Sequence, residues 1–222
     1  MNGFTERQIN YAFGFSIIIV FTLMLGILIL RKDVRYWANR FFALTFFFFA
    51  SGIILNLIYL FIYNSFWIAI LNYISVSCVT TGTICLLLGI LIIYKGEDEI
   101  IHNNLTYLFI ILMGIIIFLH GLIPEGVRVE FYVPKWSIAF GLYEIIFGQS
   151  IFFSIIYFSI KLHRELSPEM QKKLKYFVLG LIFSNISITS IIIKNMDIIA
   201  GYQQIDSILN LLSIFSFIFI YF

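Results

Sequence analysis

Residues 41–94 read FFALTFFFFASGIILNLIYLFIYNSFWIAILNYISVSCVTTGTICLLLGILIIY, 54 positions without one charged side chain. A single membrane helix takes about 20 predominantly apolar residues. The stretch is therefore too long for one span and divides into two, at the dipeptide Asn64-Ser65.

The same reading extends along the whole chain. It is 61% hydrophobic and 12% charged, with a mean hydropathy of +1.01, against roughly 25% charged residues in a soluble domain. Such a chain cannot cover itself with polar surface, so lipid is its expected solvent and the bilayer its first partner. The spacing predicts an all-α, integral membrane bundle of seven transmembrane helices in one domain, residues 1–222. Its spans run near Tyr11–Leu30, Phe41–Tyr63, Phe66–Tyr94, Leu105–Ile123, Ser137–Ile160, Tyr176–Ile193 and Ser207–Phe222. Explicit polar breaks divide them, among them RKDVRYWANR (31–40), KGEDEIIHNN (95–104) and KLHRELSPEMQKKLK (161–175).

Charge sets the orientation. The loops after the first, third and fifth spans hold ten Lys and Arg residues, and the remaining segments hold four: Arg7, Arg128, Lys135 and Lys194. The positive-inside rule then puts the N-terminus outside and the C-terminus in the cytoplasm of a multi-pass plasma-membrane protein. The first span has its basic residues, Arg31 and Lys32, behind it, so it reads as an anchor and not a secretory signal. The last span breaks off in LLSIFSFIFIYF without a basic stop, which favours the front part of a longer chain.

Polar residues inside spans mark candidate sites. Glu144 is the one charged residue deep in a span, and a buried carboxylate usually faces a bundle interior or water. Asn56, Asn72, Asn185 and Asn210 lie at comparable depth in the outer half, with His120 nearer the outer mouth. Gly52, Asn56, Tyr59 and Tyr63 share a helical stripe. These residues either line a ligand pocket open to the outside or hydrogen-bond neighbouring helices; both roles use the same side chains. Ser75, Cys78, Gly82, Cys85 and Gly89, spaced 3, 4, 3, 4, form a small-residue seam for close helix packing, and Gly141 and Gly148 flank Glu144 in the same way. Arg31, Lys32, Lys172, Lys173 and Lys175 are placed to meet anionic lipid or a cytoplasmic partner. The segment PEGVRVEFYVPK (124–135) alternates apolar and charged residues, as an extended strand or hairpin does. It reads as an ordered surface loop, or else as a lid over the outer mouth. GEDE (96–99) reads as a solvated acidic loop.

Several classes find no support in the residues. HExxH, CxxC, GxSxG and glycine-rich phosphate loops do not occur, so neither an enzyme, a metal site nor a cofactor is expected. No basic patch suggests nucleic acid. A retinal Schiff base would need a lysine within the seventh span, which has none.

Two junctions carry a resemblance. ANRFFALTFFFFASGIILNLIYLF (38–61) runs a basic loop into an aromatic helix, and SPEMQKKLKYFVLGLIFSN (167–185) runs a basic amphipathic linker into an apolar one. Through Asn39, Arg40, Phe42, Gln171, Lys172, Leu174 and Gly180, they resemble the seven-helix N-terminal membrane region of prokaryotic sensor histidine kinases and related signalling proteins. The resemblance implies an input module that senses an external or intramembrane signal and passes it to a cytoplasmic partner or output domain. The kinase part of that family is absent from these residues. A small-molecule or ion transporter or channel is the competing expectation.

Overall fold

The computed structural model describes residues 6–123, 125–130 and 132–196. Its elements, in chain order, are α1 (Glu6–Lys32), α2 (Trp37–Tyr59), α3 (Ser65–Lys95), α4 (Glu97–Ile101), α5 (Asn104–His120), β1 (Val127–Glu130), β2 (Val133–Trp136), α6 (Ile138–His163) and α7 (Pro168–Asn195). Among the described residues, five helices are long and apolar enough to cross a membrane: α1, α2, α3, α6 and α7. α5 is apolar but shorter, at 17 residues. The expected seventh span, with Asn210, lies outside the described residues.

The 54-residue stretch does divide where expected. α2 ends at Tyr59, and Leu60 and Phe61 turn. Asn64 then caps α3, its side chain accepting from the amides of Phe66 and Trp67, which satisfies two of the orphan donors at a helix start. α2 therefore stops short of the expected boundary, and Tyr63 leaves the stripe of Gly52, Asn56 and Tyr59. Its ring instead packs edge-on against Tyr132, 5.4 Å between centroids.

Two other expectations are corrected. The stretch holding Lys172, Lys173 and Lys175 is the first part of α7, not a linker. Pro168 opens it at a position where its missing N–H costs nothing, the Glu, Met, Gln, Lys and Leu that follow are good helix formers, and Lys173 pairs with Glu169 one turn back. The acidic run is also not a plain loop. Glu97, Asp98 and Glu99 form the first turn of α4, where negative charge complements the helix dipole. Ile100 is buried there with Ala38 and Ile92, and Glu97 accepts from the Trp37 amide at the start of α2. Burial, with Glu97 nearby, holds the Tyr36 phenol above its usual range.

α3 is the central helix. In its most apolar 18-residue window 56% of residues are buried, against 28% at most for the other long helices. α2 and α6 flank it, α1 packs on α2, and α7 packs on α6. Small residues explain the close approach of α2. A Cβ on Gly52 would meet the Ser75 carbonyl oxygen at 3.0 Å, one on Gly82 would strike the Phe49 ring, and one on Gly89 would reach Phe42 at 3.1 Å. The Ser75 hydroxyl also donates to the Gly52 carbonyl, at 2.9 Å. Of the two cysteines in the seam, Cys85 is buried and Cys78 half-buried. The α4 end of the bundle is filled by an apolar cluster centred on Ile84, Leu87, Ile90, Ile151, Ile155 and Leu181. Large apolar side chains such as Phe13, Phe118, Ile146 and Phe153 point outward, 65–70% exposed, a surface that suits hydrocarbon and not water.

Candidate functional site

The polar side chains gather toward the end of the bundle that carries the hairpin. β1 and β2 pair antiparallel, with Val127 opposite Trp136, Arg128 opposite Lys135, Val129 opposite Pro134 and Glu130 opposite Val133. The period of two splits the hairpin into two faces. Val127, Val129, Pro134 and Trp136 share one face, with Pro134 and Trp136 buried; Arg128 and Glu130 are exposed on the other. Tyr132 at the tip has φ +61°, which a side chain adopts at a cost of about 1 kcal/mol. Its ring contact with Tyr63 helps hold it there.

The hairpin is fastened to the central helix. Trp136 is 7% exposed and Asn72 4%, and the indole N–H donates to the Asn72 side-chain oxygen at 2.9 Å. The Tyr59 phenol of α2 lies beside Asn72. Asn72 thus ties α3 to the hairpin. Trp136 packs further on Phe140, edge-on at 5.0 Å, and on Ile192 and Met196 from the end of α7.

Glu144 lies one layer deeper, on α6. It is 5% exposed, and the Thr80 hydroxyl of α3 sits 3.5 Å from its Oε2. That hydroxyl has one proton and also lies 3.0 Å from the Val76 carbonyl, so the two acceptors share it. The glycines beside Glu144 have different surroundings. A side chain at Gly141 would collide with Met196, whereas Gly148 has nothing within 4 Å of a built Cβ.

α6 and α7 are joined by an amide clasp. Gln149 Nε2 donates to Asn185 Oδ1 at 3.2 Å and to Thr189 Oγ1 at 2.9 Å. Asn185 Nδ2 donates back to Gln149 Oε1 at 2.9 Å. Two tyrosines hold α5, with Tyr143 donating to the Ile116 carbonyl and Tyr73 to that of Ile117.

The candidate residues are therefore spread over several helix contacts. Asn72 and Tyr59 meet beneath the hairpin, Glu144 faces Thr80 across α3 and α6, and Asn185 belongs to the α6–α7 clasp. Asn56 is half-buried on α2, its side-chain oxygen buried without a hydrogen-bond partner. His120 is the last residue of α5. Trp136, Thr80 and Gln149 were not marked by the sequence, although Gln149 could have been found as a second amide inside the same span as Glu144.

At the opposite end, Asn39 donates to the Asp33 carbonyl and Arg40 to that of Val34. Arg40 also lies over the Trp37 ring at 4.5 Å. These two residues thereby close the α1–α2 turn. Gln171 does the same at the α6–α7 turn, donating to the Leu166 carbonyl. Arg31 and Lys32 form the last turn of α1, and Lys172, Lys173 and Lys175 are exposed on α7. Among the described residues, no group of three His, Cys, Asp or Glu side chains is arranged to hold a metal. No family model matches the chain, and no curated protein matches it.

Proposed function

We propose that the chain is a membrane-embedded, receptor-like sensor module of a prokaryotic signalling system. It lies in the plasma membrane with its hairpin outside and α4 at the cytoplasmic face. The resemblance of its two basic junctions to sensor-kinase membrane regions points the same way, as does the basic character of the α1–α2 and α6–α7 turns. Exposed Lys172, Lys173 and Lys175 would face anionic lipid or a cytoplasmic partner.

One observation carries the reading. α3 is 31 residues long, about 46 Å at 1.5 Å per residue. Near its first turns Asn72 holds the hairpin through Trp136. Just beyond its last turn, Glu97 holds the start of α2 through the Trp37 amide. A rigid element with a polar latch at each end can convert an outside contact into an inside displacement, provided the ligand binds the two arrangements unequally. A transporter or channel would need a water path through the α4 end, where Ile84, Leu87, Ile90, Ile151 and Ile155 are packed together.

The test breaks the outer latch and reads the inner face. Spin labels at His102 and Arg164 report the separation of the α4 and α6 ends in lipid discs. The reading expects Trp136→Phe, which keeps the ring and removes the N–H, to shift or broaden that distance distribution. An unchanged distribution, with the helical content of the variant preserved, would contradict transmission along α3.

A further inference from the structure

Ile151, Ile155, Ser159 and His163 follow one another at intervals of four along α6 and so share one row of its surface. The two isoleucines pack with Ile84 and Leu87 of α3 and Leu181 of α7, which turns the row toward the bundle interior. At its far end the row becomes polar while staying covered. Ser159 is 1% exposed, and the Nε2 atom of half-buried His163 is covered as well. Among the described residues neither Ser159 Oγ nor His163 Nε2 has a hydrogen-bond partner. Other serines on α6 are satisfied by their own helix: Ser150 and Ser154 each donate to the carbonyl four residues back, at 2.8 Å, a common use of a helical hydroxyl. Ser159 stands in the same relation to the Ile155 carbonyl and leaves it unused. Neighbouring side chains are engaged elsewhere, Phe158 against Tyr94 and Lys161 over the Tyr157 ring. An orphaned buried polar group is costly, and two of them one turn apart are rarely left so.

The chemistry of the two atoms narrows the occupant. A serine hydroxyl both donates and accepts, whereas a neutral imidazole Nε2 does one or the other according to its tautomer. The row offers no carboxylate, lysine or arginine to hold an ion. A serine also takes less space than the isoleucines above it, and a single water needs about 30 Å³. We propose that Ser159 and His163 share one bound water at the α4 end of the bundle. Water donates and accepts, so it completes the pair with either tautomer. Ile155, wholly buried one turn away, closes the site on the side of the hairpin, so the water sits in a blind site and not on a path through the bundle. Under the sensor reading it gives the end of α6 an exchangeable polar contact; the binding itself does not depend on that reading.

Water-edited solid-state NMR of the full chain in lipid bilayers provides the test, by following magnetisation from water protons to individual carbons. Thr45 supplies the control: it is a buried hydroxyl, 2% exposed, that donates to the Phe41 carbonyl of its own helix. Ser159 Cβ should build up several-fold faster than Thr45 and than Ile155. His163→Phe, which removes the ring nitrogens, should slow Ser159 to the Ile155 rate. His163→Gln, which keeps a polar group at that position, should retain the fast transfer and controls for the effect of any change at the end of α6. Ser159 building up no faster than Thr45 in the unaltered chain would overturn the proposal, as would a through-space contact from Ser159 Cβ to another polar side chain in place of water. Fast transfer that persists in His163→Phe would overturn the sharing of the water with His163. None of these failures changes the expected spin-label result, so the two readings fall separately.

Discussion

Trp136 has one N–H and Asn72 accepts it at 2.9 Å in a buried contact. Asn72→Leu would remove the acceptor and strand the indole donor, a loss of about 1–3 kcal/mol. Trp136→Phe in that background should restore much of it, because both polar groups are then gone. The check is a double-mutant cycle on thermal unfolding in detergent; additive losses would mean the two side chains are not coupled. Glycines give a sharper contrast. Gly52→Ala would push a methyl group to 3.0 Å from the Ser75 carbonyl, backbone that cannot rotate away, and should cost about 1–3 kcal/mol. Gly148→Ala meets open space and should be neutral or stabilising by up to about 1 kcal/mol. Similar unfolding temperatures for the two variants would refute the close approach of α2 to α3.

Among the elements, the α6–α7 pair depends most on side-chain hydrogen bonds. Gln149→Leu leaves Asn185 and Thr189 facing an alkyl group. A single polar contact within a membrane bundle averages about 0.6 kcal/mol, but three are lost together here. The variant should therefore unfold measurably earlier, and Gln149→Leu with Asn185→Leu should recover part of the loss. A double variant no better than the single one would mean the clasp acts through packing alone. The clasp also marks a limit of sequence reading: Asn185 is visible as a polar residue in an apolar run, but its partner depends on how α6 and α7 rotate against each other. The β-hairpin was easier to see, since the alternation of Val127 to Glu130 has a period of two. That Trp136 anchors it could not be read, because an indole in an interfacial segment serves equally well as a lipid contact. Helix ends are not legible where hydropathy is the only guide. α7 begins at Pro168 because helix propensity continues through Glu169–Lys175, although apolar character does not.

At the scale of the whole molecule, the bundle is polar beneath the hairpin and packed with apolar side chains at the other end. Composition alone made the helical, lipid-facing character legible, since 54 uncharged residues in a row have few other folds. The grouping of the polar residues was not legible: Glu144 meets Thr80 between α3 and α6, Asn185 meets Gln149 between α6 and α7, and the Asn56 side-chain oxygen is buried with no hydrogen-bond partner among the described residues. The most direct measurement is two-sided thiol accessibility in native membranes. In a background with Cys78→Ala and Cys85→Ala, single cysteines are placed at Asn56, Glu144, Asn185 and Leu87, and a membrane-impermeant reagent is added from each face. The account predicts reaction from the outside alone at one or more of the first three sites, and none at Leu87 from either side. Labelling of Leu87, or of the outer sites from the cytoplasm, would contradict it and establish a continuous water path of the kind a transporter needs.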